Sequence, residues 1–165
     1  MMPQLALSRR RSLLCAGATT LLLAGMGEPH AEPAQLPSST ALADDLKKAL
    51  AVGSPLLVMV SLEGCPFCKV VRQNYLGPMQ QRDGLPVVQI DMRNKTALKD
   101  FKGNTLTQDE LIRSWGVRVA PTVLFFGRDG VEVAERMVGG YIPDFYGPYL
   151  EERLTAARKA VQGKK

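Results

Sequence analysis

Two cysteines, Cys65 and Cys68, lie three positions apart in the segment "SLEGCPFCKVV" of residues 61–71. Such a pair can work as a redox dithiol, supply half of a metal site, or be two thiols that are merely close in sequence. Cys65 lies where a predicted strand leads into a predicted helix, and the free N–H groups of a helix N-terminus favour thiolate over thiol. We therefore predict Cys65 as the nucleophile, with a pKa below the value of about 8.5 for free cysteine. Cys68, one helical turn later and less exposed, is predicted to be the resolving thiol.

The segments on both sides of the pair predict the elements that must position it. Before it, "PLLVMVSL" (55–62) is a continuous apolar run, as expected for a strand buried on both faces. After it, Pro66 suits a first helical turn, and apolar side chains follow in helical register at Val70, Val71, Tyr75 and Met79. Lys69 and Arg72 are predicted to lie on the solvent-facing side of this helix.

A metal site needs more ligands than this pair supplies. Zinc normally takes four ligands, and the only other cysteine and the only histidine are Cys15 and His30. Both lie in an N-terminal segment that we predict to be removed. The chain then cannot complete a zinc site alone, although a copper(I) site with two thiolates, shared with a partner, stays open.

The first 31 residues have the pattern of a secretory signal. Three arginines (9–11) precede an apolar stretch from about residue 13 to 26, which is shorter than the roughly 20 residues of a membrane span. We predict a signal peptide over 1–31, exported by the general or the twin-arginine route and cleaved, and a periplasmic location. An uncleaved anchor is the alternative. Residues 32–38, with two prolines, are predicted to be a linker.

The remaining chain alternates helices and strands. We predict a helix within 38–53 and a strand over 85–92. A short helix and a loop are predicted after this strand, followed by a helix over 107–116 that begins with a capping box. The final helix is predicted to start at 143 and to be interrupted at Gly147-Pro148. "TVLFFG" and "VEVAERMVG" are predicted strands joined by an Asp129-Gly130 hairpin turn. This order predicts an α/β domain over 39–165, with a mixed sheet covered on both sides.

Composition narrows the class of protein. The 165 residues are 45% hydrophobic and 22% charged, which argues against disorder and against a polytopic membrane protein. The net charge is +5, but no basic run with interleaved aromatic residues is present. We therefore expect no nucleic-acid partner.

The motif "EGCPFC", followed about fifty residues later by "GVRVAPTVLFFGRDGVEVAERMVGG", resembles the thioredoxin superfamily. The resemblance implies a thioredoxin fold with a central mixed sheet of about four strands flanked by helices. It implies a redox disulfide between Cys65 and Cys68 and a cis peptide bond before Pro121. Substrate contacts are then expected at Ala120, Pro121, Thr122, Pro66 and Phe67. It also implies thiol-disulfide exchange without cofactor or metal, by a monomer that acts on protein thiols and disulfides and draws electrons from a membrane donor.

The sequence departs from thioredoxin beneath and beside the dithiol. Met59 and Val87 stand where thioredoxin has a buried aspartate and lysine, and Gly64 replaces a tryptophan. Glu63 and water are then the remaining candidate proton acceptors for the second thiol, and a plain surface residue is the commoner role of such a glutamate. The long segment 91–116 is more similar to secreted proteins of the SoxW type, and Pro66-Phe67 resembles the Pro-Tyr of glutaredoxins, which favours a reductase. A non-catalytic module for copper handling or partner docking is the alternative.

Overall fold

The computed structural model describes residues 35–139 and 143–163. The predicted signal segment, with Cys15 and His30, lies outside the described residues. Of the predicted linker, the described end lies against the sheet: Leu36 is buried, and the backbone N–H groups of Ser39 and Gln89 donate to the carbonyls of Gln89 and Pro37 at 3.3 and 2.8 Å.

A four-stranded mixed sheet forms the centre of the domain. Its strands are β1 (Leu56–Ser61), β2 (Val87–Asp91), β5 (Thr122–Phe126) and β6 (Met137–Val138), in the order β2-β1-β5-β6. β1 is parallel to β2 and antiparallel to β5, and β5 is antiparallel to β6. The prediction of a mixed sheet of about four strands is confirmed.

Helices cover both faces of the sheet, which explains the unbroken apolar sequence of β1. Alternate residues of β1 point to opposite faces, and every residue of β1 is buried. One face packs against α2 (Pro66–Val71), α3 (Gly77–Asp83) and α5 (Pro143–Gln162). The other packs against α1 (Leu42–Ala51) and α4 (Gln108–Ser114). The prediction of helices on both sides of the sheet is confirmed.

The helical segment that contains Cys68 consists of two short α-helices joined by a π-helical turn. A π-helical segment, Arg72–Leu76, joins α2 to α3, and Gly84 with φ of 64° ends the run. Pro78 lies in the first turn of α3 and has no N–H to donate back along the helix. The wider π turn lies immediately before it, as such turns often interrupt α-helices.

Three local predictions were wrong. Residues 94–107 form a hairpin, with β3 (Ala97–Lys99) antiparallel to β4 (Thr105–Thr107), instead of a short helix. The Asp100 carboxylate accepts from the backbone N–H groups of Lys102 and Asn104, both at 2.8 Å. Such local bonds compete with a helix and close the turn instead.

The other two wrong predictions concern the strand predicted over 131–139 and the interruption predicted in the final helix, α5. The predicted strand 131–139 pairs only at Met137–Val138 and at one bridge between Glu132 and Phe126. Between these two pairings, the Arg136 guanidinium donates to the Glu132 carboxylate and to the Trp115 carbonyl. The final helix is not interrupted but continues through Pro148. The neighbouring Gly147 faces the Tyr75 ring, at a distance where a Cβ would make an ordinary contact.

The capping box at Thr107 offers a direct test of how α4 begins. The Thr107 hydroxyl accepts from the backbone N–H of Glu110, and the Glu110 carboxylate accepts from the backbone N–H of Thr107. We expect Thr107→Ala to lower the free energy of unfolding by about 1 kcal/mol, because one N–H of the first turn loses its acceptor. Urea unfolding of the oxidised protein, followed by the fluorescence of its single tryptophan, measures the change. Thr107→Ser keeps the hydroxyl and should unfold close to the wild type; equal losses in both variants would contradict the capping role.

Candidate active site

A tight turn after β1 delivers Cys65 to the start of α2. The backbone N–H of Cys65 donates to the Leu62 carbonyl at 3.1 Å, and Gly64 has φ of +74°, a conformation that residues with a Cβ rarely adopt. Cys65 is the N-cap residue of α2, and Pro66 follows at its first position, where the missing N–H costs nothing. The strand, the glycine turn and the proline therefore fix the position of the first cysteine.

The two cysteines form a disulfide, with Cα atoms 5.3 Å apart. The backbone N–H of Cys68 donates to the Cys65 sulfur at 3.1 Å, so this sulfur takes the place of a capping oxygen. Cys68 is only 1% exposed, whereas Cys65 is partly exposed. A substrate can therefore approach the sulfur of Cys65 and not that of Cys68.

The segment Ala120–Thr122 lies against this disulfide. The Ala120–Pro121 peptide bond is cis, and the Ala120 carbonyl oxygen lies 3.9 Å from the Cys65 sulfur. Pro121 and Thr122 are buried, and the Thr122 hydroxyl donates to the Val119 carbonyl at 2.7 Å. Thr122 pairs with Val60 near the end of β1, which brings this segment beside the turn that carries Cys65.

Apolar side chains are exposed on both sides of the disulfide. Phe67, between the cysteines, is 54% exposed, and Val119, just before Ala120, is 46% exposed. Val138 of the edge strand is also exposed, and the adjacent backbone N–H of Gly139 donates to the Pro121 carbonyl at 2.7 Å. Apolar surface of this kind suits contact with a polypeptide substrate. Val119 and Val138 carried no sequence signal, because single valines beside a loop or in a strand are common in any sheet.

The core beneath the dithiol is apolar. Cys68, Met59 and Val87 are buried in the same cluster of side chains. All the buried polar side chains of the described residues are neutral: Ser39, Ser54, Ser61, Gln108 and Thr122. Glu63 is exposed at the surface and is not part of this buried cluster. A thiolate at Cys68 is therefore disfavoured by its apolar surroundings.

Two tyrosines lie in the same half of the core. The rings of Tyr75 and Tyr146 are 4.9 Å apart, and Tyr146 is buried. Burial raises the pKa of Tyr146 well above its ordinary value, and the neighbouring Tyr75 raises it further. Tyr146 therefore stays protonated over the pH range in which cysteines titrate and packs as a neutral ring.

Arg72 is half-buried, whereas the sequence predicted a side chain on the solvent-facing side of the helix. The Arg72 guanidinium folds over the end of the sheet, where Nε donates to Gln89 Oε1 at 2.8 Å and Nη2 donates to Ser61 Oγ at 3.1 Å. Both acceptors belong to strands that are distant in sequence, so helical periodicity alone could not place this side chain. Lys69 is exposed, as predicted.

Within 35–139 and 143–163, no helix combines the length and the apolar character needed to cross a bilayer. In the same part of the chain, no three side chains of the types His, Cys, Asp and Glu come together as a metal site.

Residues 42–153 match the model of a thioredoxin-like domain. The chain belongs to the thioredoxin-like family. Among solved structures, DsbH oxidoreductase is 17% identical, with 85% of this chain and 96% of that chain aligned at a TM-score of 0.51, and so shares the fold. A poplar thioredoxin h is 22% identical over 67% of this chain and 86% of its own, with a TM-score of 0.47. The periplasmic thioredoxin SoxS from Paracoccus pantotrophus is 21% identical over 62% of this chain and 98% of its own, with a TM-score of 0.43. No curated protein sequence matches the chain.

The N-cap position of Cys65 predicts its acidity in the reduced protein. We expect Cys65 to titrate below the value of about 8.5 for free cysteine, because the backbone N–H of residue 68 stabilises the thiolate. Cys68→Ala keeps this N–H and leaves Cys65 as the one cysteine of the described residues, so thiolate absorbance near 240 nm against pH measures Cys65. If Cys15 is retained in the purified protein, it is replaced by alanine as well. The same variant unfolded in guanidinium is the control, and an equal pKa in both states would contradict stabilisation by the helix.

Proposed function

We propose that this protein is a thiol-disulfide oxidoreductase that acts on the disulfides of secreted proteins. The observation that carries the proposal is the pairing of a partly exposed Cys65 sulfur, held by the N–H of residue 68, with a buried Cys68 bonded to it. Membership of the thioredoxin-like family supports the same chemistry.

The proposed reaction begins from the reduced dithiol. The Cys65 thiolate attacks one sulfur of a substrate disulfide, forms a mixed disulfide and releases one substrate thiolate, which takes up a proton. Cys68 then loses its proton to the medium and attacks the Cys65 sulfur, which forms the Cys65–Cys68 disulfide and releases the second substrate thiol. Two electrons pass from the dithiol to the substrate. Ala120, Pro121, Thr122, Pro66 and Phe67 are proposed to form the surface that receives the substrate chain.

The cellular location of the protein and the direction of electron transfer are further parts of the proposal. The basic and apolar N-terminal segment supports export to the periplasm with cleavage of residues 1–31, and the long segment 91–116 supports a protein of the SoxW type. The Pro66-Phe67 dipeptide supports a reducing role, with a potential in the lower half of the range from about −270 mV for thioredoxin to about −120 mV for DsbA. A reductase in an oxidising compartment needs a membrane electron donor. We propose that the protein works as a monomer without a cofactor.

Reduction of insulin by dithiothreitol tests the activity. We expect the wild type to accelerate precipitation of the insulin B chain and Cys65→Ser to reduce this acceleration to the uncatalysed rate, because the remaining thiol of the pair, on Cys68, is buried. Cys68→Ser should accumulate mixed disulfides at Cys65, visible by mass spectrometry, because the resolving thiol is missing. Titration of the Cys65–Cys68 pair against glutathione buffers measures the potential.

Two results would overturn the proposal. Equal activity of Cys65→Ser and the wild type would exclude exchange through this pair. Copper bound at one equivalent by the purified protein and lost in Cys68→Ser, together with no insulin reduction, would establish the metal-handling alternative instead.

A further inference from the structure

A groove of about 1100 Å³, lined mostly by residues with polar or charged side chains, lies beside Cys65. One wall is formed by the turn and helix from Glu63 to Gln73, and the other by the end of β2 and residues 92–94. Because β1 lies between β2 and β5 in the sheet, this groove and the Ala120–Pro121 segment are on opposite flanks of Cys65. A substrate bound at Ala120 therefore leaves the groove open.

Small residues keep this groove open. Gly64 stands where thioredoxins carry a tryptophan, and a Cβ at Gly64 would meet nothing within 4 Å. Ser61, another residue that lines the groove, has a small side chain that accepts a hydrogen bond from Arg72. Gly64 and Ser61 therefore place no bulky side chain between the two walls of the groove.

Arg72 presents a positive charge to the groove. It follows Cys65 by seven residues, or two helical turns, and so lies on the same side of the helix. Its two hydrogen bonds go to neutral oxygens, on Gln89 and Ser61, and no carboxylate of the described residues forms an ion pair with it. These bonds use two of the five N–H groups of a guanidinium and hold it in one orientation.

The other charged residues of the groove leave Arg72 available to an anion. Asp91 accepts from Gln89 Nε2 at 2.9 and 3.1 Å, so the Gln89 amide lies between the acid and the arginine and bonds to both. Glu63 is exposed at the rim, where Lys69 and Arg93 are exposed as well. Three cations and two carboxylates therefore line the groove, and one of these carboxylates, that of Asp91, already accepts hydrogen bonds from Gln89.

We propose that this groove binds a carboxylate of the substrate next to the reacting disulfide, with Arg72 as the residue that selects it. A guanidinium held by two bonds can donate further N–H groups to a carboxylate, which is the geometry arginine recognises best. The inference rests on the proposed exchange at Cys65 and adds a preference among its substrates. The carboxylate belongs either to an acidic residue beside the target cysteine of a protein or to a small acidic disulfide.

The test compares three small disulfides that differ in charge: 3,3′-dithiodipropionate, 2-hydroxyethyl disulfide and cystamine. Reduced protein is mixed with each, and formation of the Cys65–Cys68 disulfide is followed by acid quench and mass spectrometry. The measured quantity is the rate with the anionic disulfide divided by the rate with the neutral one, compared between variants, so that differences among leaving thiols cancel. We expect Arg72→Gln to lower this ratio about tenfold or more, as for loss of a hydrogen bond to a charged group.

Matched variants separate binding from general charge effects. Arg118→Gln removes the same charge from an exposed residue two positions before Ala120, on the opposite flank of Cys65, and should leave the ratio within about twofold of the wild type. Arg72→Lys keeps the charge without the planar fork and should fall between wild type and Arg72→Gln. Far-UV circular dichroism checks the fold of each variant, and Arg72→Lys carries the test if Arg72→Gln does not fold.

The outcomes distinguish this inference from the proposed function. If the wild type reduces none of the three disulfides and no insulin, the proposed function fails. If it reduces all three and Arg72→Gln slows them equally, Arg72 acts on the Cys65 thiolate and the carboxylate site is refuted. If the ratio falls in Arg118→Gln as far as it does in Arg72→Gln, the carboxylate site is also refuted.

A second set of substrates identifies the source of the carboxylate. Peptide disulfides with Asp, Asn or Lys beside the cysteine replace the small molecules in the same assay. An Arg72-dependent preference for Asp supports an acidic protein segment. An Arg72-dependent preference for the acidic substrate that appears only among the small disulfides supports a small acidic disulfide as the substrate. If neither the peptide disulfides nor the small disulfides show this preference, the proposal is overturned.

Discussion

The hydrogen bond from the backbone N–H of Cys68 to the Cys65 sulfur is the interaction on which the site depends. It exists only because Cys65 is the N-cap of α2, and α2 begins directly after it because β1 ends at Ser61 and Gly64 turns the chain. β1 in turn is fixed by apolar contacts on both faces of the sheet. The reactive sulfur is therefore positioned by the core of the whole domain, and not by the few residues around it.

The same arrangement makes the two sulfurs unequal. A capping sulfur must remain at the surface, where the first N–H groups of the helix point, while a residue three positions later turns inward toward the sheet. Cys65 is accordingly partly exposed and Cys68 is buried against Met59 and its neighbours. The order of attack in the proposed reaction follows from this difference in exposure, because only one sulfur can meet a substrate disulfide.

Sequence reasoning succeeded where one local pattern determines the outcome. The continuous apolar run of β1, the Thr107–Glu110 capping box and the alternation of helices and strands along the chain each follow from short-range signals, and the α/β class was predicted from them. It failed where a single side chain decides between local structures, as Asp100 does when it closes the β3–β4 hairpin. It also misplaced Arg72, because the partners of this residue, Ser61 and Gln89, come from two different strands. Helical periodicity gives the side of a helix but not the strand that a long side chain reaches.

The departures from thioredoxin at Met59, Val87 and Gly64 have a common physical consequence. The first two make the core beneath Cys68 apolar, so no charged group of the described residues is buried there to take its proton. The third leaves an open polar groove beside Cys65, lined by charged and amide side chains. Burying an ionised acid under the dithiol would cost free energy unless it were paired, whereas the same charges at an open groove keep their hydration. This chain therefore has its charged groups beside the dithiol, where they can contact a substrate, and leaves the buried side of the dithiol to packing alone.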